Sequence, residues 1–294
     1  MSRTPVISVV VPSHGRPGAA ARVVRALRAQ RLPDGHSFDV IVVDDGSPVP
    51  VEIAPEDAGT MRVRVIRKVQ QGPAAARNAG VEASEGDLVA FIDDDCEPAP
   101  DWVATLGDAA RRHPGCGLGG HVVNGLRQNP FSETSQLIVT FLCQYYATGP
   151  TARFFTSNNL AFPRDVLREA AGFDVAYTRA AAEDRELCDR WVAGGRRLVA
   201  VPEAVVYHAH AMTAASFWRQ HFGYGRGAWG YRRARASRAG ERVRIEPWTF
   251  YRDLLLCPIR THGWRGVGLV GLVALAQTAN ALGFLVEGTR ARWA

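Results

Sequence analysis

Three aspartates stand side by side at Asp93, Asp94 and Asp95, directly after the apolar run Val89-Ala90-Phe91-Ile92. In an extended chain residues two apart point the same way, so Asp93 and Asp95 can converge on one ligand while Asp94 faces away. Two such carboxylates oppose each other's ionisation, and a divalent cation reverses that penalty. Mg²⁺ or Mn²⁺ takes oxygen ligands and commonly bridges a carboxylate to a diphosphate. The competing reading is a solvated turn, one Asp capping a helix that starts near Trp102. Other polar clusters pose similar choices. Asp44 and Asp45 in VVDDGS could accept hydrogen bonds from a base or ribose, or close an Asx-turn at Gly46. Gly72 in QGPAAARNAG lets the backbone approach a ligand, and Arg77 on the following helix could reach phosphate or base, or lie in solvent. Glu183 and Asp184 open the helix in AAAEDRELCDRW, where acidic residues serve as macrodipole partners or stand as a general base. His208 and His210 in VVYHAH share one side of an extended segment, as structural donors or metal ligands.

The elements that must carry these residues alternate between strand and helix. Residues 6–11 (VISVVV) form a continuous β-branched run, the pattern of a strand buried on both faces. Residues 38–45 (FDVIVVDD) predict a second buried strand, and 61–67 (MRVRVIR) a third whose polar alternation places it nearer solvent. A fourth strand spans 88–92, and helices are expected over 19–31, 73–83 and 183–193, with a further strand over 197–201. This order predicts an α/β domain with a largely parallel sheet. SHGR, DDGS and DDD each follow a strand directly, and in such sheets ligands collect at the strands' carboxyl ends. Between these regions, from about Pro114, the pattern loosens into Gly-rich and aromatic stretches.

Composition narrows the classes. With 294 residues, 47% hydrophobic and 22% charged, the chain can build one large domain with an appendage, and global disorder is excluded. A net charge of +6 favours anionic partners. Five scattered cysteines without CxxC spacing argue against a zinc site or a disulfide framework, and reduced thiols in a cytosolic protein are expected. The six strand-like residues before Pro12 are too few for a signal-peptide core, so an unexported chain is expected. After His210 the character changes. Residues 217–244 mix aromatics with eight arginines opposed only by Glu241, a composition suited to an anionic membrane surface or a solvated helical face; no nucleic-acid motif is present and no nucleic-acid partner is expected. Residues 267–286 carry no charge for twenty positions, although Gln277, Thr278 and Asn280 interrupt them. Interfacial membrane contact, packing on the domain or in a homodimer, and a spanning helix are the alternatives.

As an ordered set, ISVVVP, VVDDGS, GPAAARNAG, FIDDD, SNNLAFPRDVLREAAGFD, EDRELCDRW and VVYHAH resemble the family-2 glycosyltransferases of the GT-A fold, over about residues 5–210. The resemblance implies a GT-A domain over 1–212 (a mixed, mostly parallel sheet flanked by helices) and a C-terminal helical extension over 213–294. It implies an inverting, single transfer from a UDP-, GDP- or dTDP-sugar to a hydroxyl on a lipid-linked or small-molecule acceptor. It places Pro12 and Ser13 in the nucleotide pocket, Asp44 and Asp45 at the base, Arg77 near base and phosphates, and Asp93 at the ribose. Asp95 and His208 would hold Mn²⁺ or Mg²⁺, and Asp184 would be the general base; Gly72, Asp94, Asn158 and Glu183 join the substrate-binding set. Tyr145, Tyr146, Phe154, Phe155 and Ser157 to Asn159 are expected on the acceptor side. The QxxRW motif of processive synthases is absent, since CDRW follows EDREL without the glutamine. A cytoplasmic protein, peripheral at the inner face of the membrane, is expected. A non-catalytic sugar-nucleotide-binding module and a sugar nucleotidyltransferase are the rival functions.

Overall fold

The computed structural model describes residues 5–147, 152–179, 181–240 and 245–293. Its eight strands are β1 Ile7–Ser13, β2 Phe38–Asp45, β3 Val63–Lys68, β4 Leu88–Phe91, β5 Cys96–Pro98, β6 Gly117–Asn124, β7 Leu160–Pro163 and β8 Leu198–His208. The helices are α1 Pro17–Arg28, α2 Pro55–Ala58, α3 Pro73–Ala83, α4 Trp102–Arg112, α5 Pro130–Tyr145, α6 Arg164–Glu169, α7 Glu183–Ala193, α8 Ala214–Ala239, α9 Trp248–His262 and α10 Val267–Trp293. The strands form one sheet in the order β3-β2-β1-β4-β7-β6-β8-β5. Its first four members pair in parallel. Beyond them β7 runs antiparallel to both neighbours, β6 and β8 are parallel, and β5 runs antiparallel to β8.

The β-branched runs of β1 and β2 are buried on both faces, as their composition predicts, and β3 on the sheet's edge is the most exposed. Alternation splits β1 between two cores. Val9 and Val11 face Val23, Leu27, Trp102 and Leu106 of α1 and α4, whereas Val10 faces α3 and the layer holding Leu187 and Trp191 of α7. Gly80 lets α3 lie tightly on β1, since a Cβ there would meet Val10 at 2.3 Å.

A third core joins α5 to the C-terminal helices through Ile138, Phe217, Phe250, Leu254 and Val273. Helices α8 and α10 cross at glycines: a Cβ on Gly225 would lie 1.9 Å from the Asn280 carbonyl, and one on Gly283 2.0 Å from that of Phe222. The extension also touches the segment leading into α7, where Gly227 packs against the Ala181 carbonyl. Part of the arginine-rich segment is neutralised within the protein. Four of the α8 arginines, Arg226, Arg232, Arg235 and Arg238, pair with Glu287, Glu246, Asp189 and Glu186. Glu241, Arg242 and Arg244 lie outside the described residues.

Candidate active site

Because β1, β2 and β4 are parallel, their exit loops meet at one edge of the sheet. Pro12 and Ser13 end β1, with Ser13 in register with Asp44. The Ser13 hydroxyl donates to Asp94 Oδ2 at 2.7 Å. The Arg16 guanidinium spans Asp94 and Asp95, reaching Asp95 Oδ2 at 2.8 Å. The three aspartates lie in a turn between β4 and β5 rather than in an extended exit, so strict alternation fails. Asp94 does not face away: it is buried, shares Arg16 with Asp95, and burial pushes its carboxyl up to about 6 against the pull of Arg16 and Ser13. Arg16 was not anticipated; in sequence it is one basic residue among 35.

In the second exit loop the expected residues have partners within the protein. Asp44 closes a turn, accepting from the Ser47 and Val51 amides, and is fully buried. Asp45 accepts from Lys68 Nζ and from the Gln71 and Gly72 amides, which ties the loop before α3 to β2. Gly72 is needed, but for a different close approach: its φ is +96° and a Cβ would meet the Thr178 carbonyl at 2.3 Å.

Arg77 is likewise committed within the protein. Its guanidinium donates to Asp93 at 2.8 Å and to Glu183 at 3.0 Å, with 4% of its side chain exposed. Although burial opposes its charge, Asp93 and Glu183 hold it ionised. Removing a buried partner of this kind typically costs about 3–5 kcal/mol, so Arg77 is a strut between the end of β4 and the start of α7. Glu183, also buried, accepts from the Ala181 amide at 2.8 Å. Both residues line the cavity and hold its walls in place.

The metal-ligand expectation meets a fitting donor set. Antiparallel pairing sets Cys96 opposite His208 in β8, and the Ala209 amide donates to the Asp95 carbonyl at 2.8 Å. His208 Nε2 lies 3.3 Å from Asp95 Oδ1 and His210 Nδ1 3.1 Å from Oδ2. Burial works against ionising Asp95, yet its bonds to the two imidazoles hold it well below the ordinary carboxylate range. One carboxylate and two imidazoles make an O/N set that accepts Mn²⁺ and suits Ca²⁺ poorly. Cys96 also lies close to Asp95 and His208. Its thiol, pushed well up by burial, stays protonated and packs in the core beneath β1, which accounts for a small apolar residue there.

Asp184 occupies the second position of α7 and fronts a cavity of about 770 Å³ shared with Arg77, Asp93, His208 and His210. Its oxygens accept from the Arg185 amide at 2.7 Å and the Ser157 amide at 3.3 Å. Burial, followed by the charge of Glu183, pushes its pKa up to about 7. The preceding Ala182 has φ +70°, a left-handed conformation that is unusual for a residue with a Cβ. Asn158 lines the same cavity and accepts from Thr156 Oγ1 at 2.7 Å. Of the expected acceptor residues, Tyr146, Phe154 and Ser157 line it too. Phe155 is core, Tyr145 packs on Phe250, and Asn159 accepts from the Trp102 indole.

The chain belongs to glycosyl transferase family 2: that family's model matches residues 8–170, more than half of the chain. It is 31% identical over 210 residues to the pre-mycofactocin glycosyltransferase of Mycobacterium tuberculosis, covering 69% of this chain and 43% of that protein, so it spans less than half of that relative's length. It is 27% identical over 217 residues to the glucosyl-dolichyl phosphate glucuronosyltransferase of Haloferax volcanii, covering 69% of this chain and 68% of that one. Among solved structures, the mannosyltransferase PcManGT of Pyrobaculum calidifontis, in complex with GDP-Man and Mn²⁺, superposes with a TM-score of 0.58 at 20% identity over 98% of this chain and 80% of that one. S. aureus TarS 1-349 with UDP-GlcNAc gives 0.56 at 17% identity, over 97% and 91%. The fold is the GT-A fold, followed by a C-terminal helical extension.

Proposed function

We propose that this protein is a metal-dependent, inverting glycosyltransferase making a single transfer from a nucleoside-diphosphate sugar to an acceptor hydroxyl. The carrying observation is one cavity lined by His208 and His210, both held by Asp95, and by a carboxylate, Asp184, with a pKa near neutrality. A general base works best when its pKa lies near the operating pH. Asp184 takes the proton of the acceptor hydroxyl as that oxygen attacks the anomeric carbon, and the bond to the diphosphate breaks on the opposite face. Asp95, His208 and His210 would hold Mn²⁺ or Mg²⁺, which neutralises charge on the departing diphosphate when bound. Arg77 keeps Asp93 and the start of α7 in fixed relation. The relatives' names and the nucleotide sugars bound to the structural neighbours support this reading. The product class is a cell-envelope polysaccharide, a glycolipid or a natural product. The protein works at the cytoplasmic face of a membrane, which the uncharged outer side of α10 contacts.

The test is the melting temperature of the full chain with UDP or GDP, with and without Mn²⁺ or Mg²⁺. A rise that needs both nucleotide and ion is expected; a rise indifferent to the ion favours a binding module without metal chemistry. Asp184→Asn keeps the metal-dependent rise and loses transfer by about 10²–10⁴-fold. Turnover comparable to wild type in that variant removes Asp184 from the base role.

A further inference from the structure

The cavity beside Asp184 is built mainly by helices outside the sheet. Ser13, Asp45 and Gly72, which knit the nucleotide-side loops, lie outside its lining, so its volume of about 770 Å³ extends away from the base-binding edge. Its inner end is polar, with Asp93, Asp184 and His208. Outward the wall changes to Ile138 and Leu142 of α5, Phe250 and Leu254 of α9, and Phe284 of α10. Leu285 and Ile245 line it while being 62% and 71% exposed, so they mark its mouth. His221 of α8 also lines the cavity. It is 2% exposed, and its Nε2 has no hydrogen-bond partner among the described residues. Burial pushes its pKa down to about 4, so it faces the cavity as a neutral ring. An unsatisfied buried polar atom is disfavoured unless something else completes it. The polar interruptions of the uncharged stretch, Gln277, Thr278 and Asn280, also line this cavity.

We propose that the C-terminal extension builds the acceptor site here, and that the acceptor is an amphipathic alcohol. Its reacting hydroxyl lies at Asp184, a second polar group bonds to His221, and its aliphatic or aromatic body runs between α5, α9 and α10 toward Leu285. The proposal rests on Asp184 acting as the base, but its ligand class is read from the walls alone. The alternation from polar to apolar along one continuous cavity is what a small sugar or a fully polar acceptor would leave unused.

The test is calorimetric titration of the full chain with n-octyl β-D-glucoside, below its micelle concentration, and with methyl β-D-glucoside. Each buried methylene contributes a few-fold in affinity, so the octyl compound is expected to bind at least about 100-fold more tightly. Ala281→Trp and Leu285→Asp act at exposed positions on the cavity's rim. Both are expected to weaken octyl glucoside by about ten-fold or more while keeping the metal-dependent nucleotide shift. Ala281→Trp fills the cavity yet adds apolar surface, so binding that it leaves unchanged or strengthens is adsorption to the outside and overturns the proposal. Equal affinity for the two glucosides overturns it as well. Loss of the nucleotide shift in the wild type, with octyl discrimination intact and abolished by Ala281→Trp, overturns the glycosyl-transfer reading and upholds the amphipathic ligand class.

Discussion

Glu183 and Asp184 are chain neighbours, yet only Glu183 has a cation against its carboxylate. Asp184 has two amides and a cavity, and its pKa rises to about 7 from 3.8. The sign of the linkage follows. A carboxyl whose folded pKa is raised favours its neutral form in the fold, so its contribution is complete below about pH 4 and is lost as pH rises through about 7. Asp184→Asn therefore melts a few degrees above wild type at pH 8, while the two differ little at pH 4; scanning calorimetry at both pH values checks this. Wild-type transfer should fall about ten-fold per pH unit below 7, because the base must be ionised. Legibility at this scale was uneven. The sequence brought Asp95, Asp184 and His208 together through their order along the chain. It could not show that Asp44 closes a turn or that Asp45, Arg77 and Glu183 are consumed by partners, because Arg77 and Glu183 meet across 106 positions. Asp94 was misplaced because alternation holds in strands, and the chain turns after Ile92.

The elements carrying the site were legible where burial is simplest. Strand β2 and helices α3 and α7 match their expected bounds, since each has an unbroken apolar run or clear end signals. The Gly-rich stretch after Pro114 concealed β6: Phe162 and Phe155 fill the places of Cβ atoms on Gly117 and Gly119, so glycines there record close packing rather than a loop. Helix α5 was missed because it is apolar on the side that meets the extension and polar toward β6 only in part. The crossing of α8 and α10 is set by similar means. Gly225→Ala must push the Asn280 backbone aside and is expected to destabilise the chain by about 1–3 kcal/mol. Because α10 also walls the cavity, the same variant raises the acceptor KM more than the donor KM. Gly223→Ala on the same helix meets nothing within 4 Å and is expected to be neutral or to stabilise by up to about 1 kcal/mol. Urea titration of the two variants and steady-state kinetics measure both effects.

At the scale of the molecule, the stretch Trp248–Ala291 is long and apolar enough to cross a membrane by length and composition. Helix α9 ends at Gly263 with φ +60°, and α10 then runs alongside α8 with Val273, Ala276 and Ala279 buried. One side of α10 is thus already covered by protein. The other presents Val267, Leu275, Leu282 and Leu285, and Trp264 at the hairpin tip is 81% exposed beside Arg265. Membrane contact through this side needs no basic patch from α8, four of whose arginines are paired with acidic residues. The full chain is expected to cosediment with phosphatidylcholine/phosphatidylglycerol vesicles, and Trp264→Glu to release most of it. Sedimentation as a dimer that excludes vesicles would instead assign the face to a second copy.

The pairing of β5 with β8 has a consequence for how the chain acquires its site. Asp95 and His210 are 115 positions apart, and the short β5 strand holds its place only once β8 lies beside it. Closing so long a loop carries an entropic cost that local contacts do not offset, so such pairings form late. A growing chain that has not reached residue 208 carries the aspartates without either imidazole partner. On the metal-dependent reading proposed above, strong ion uptake is expected only of the finished sheet, and its appearance during refolding would time the last step of assembly.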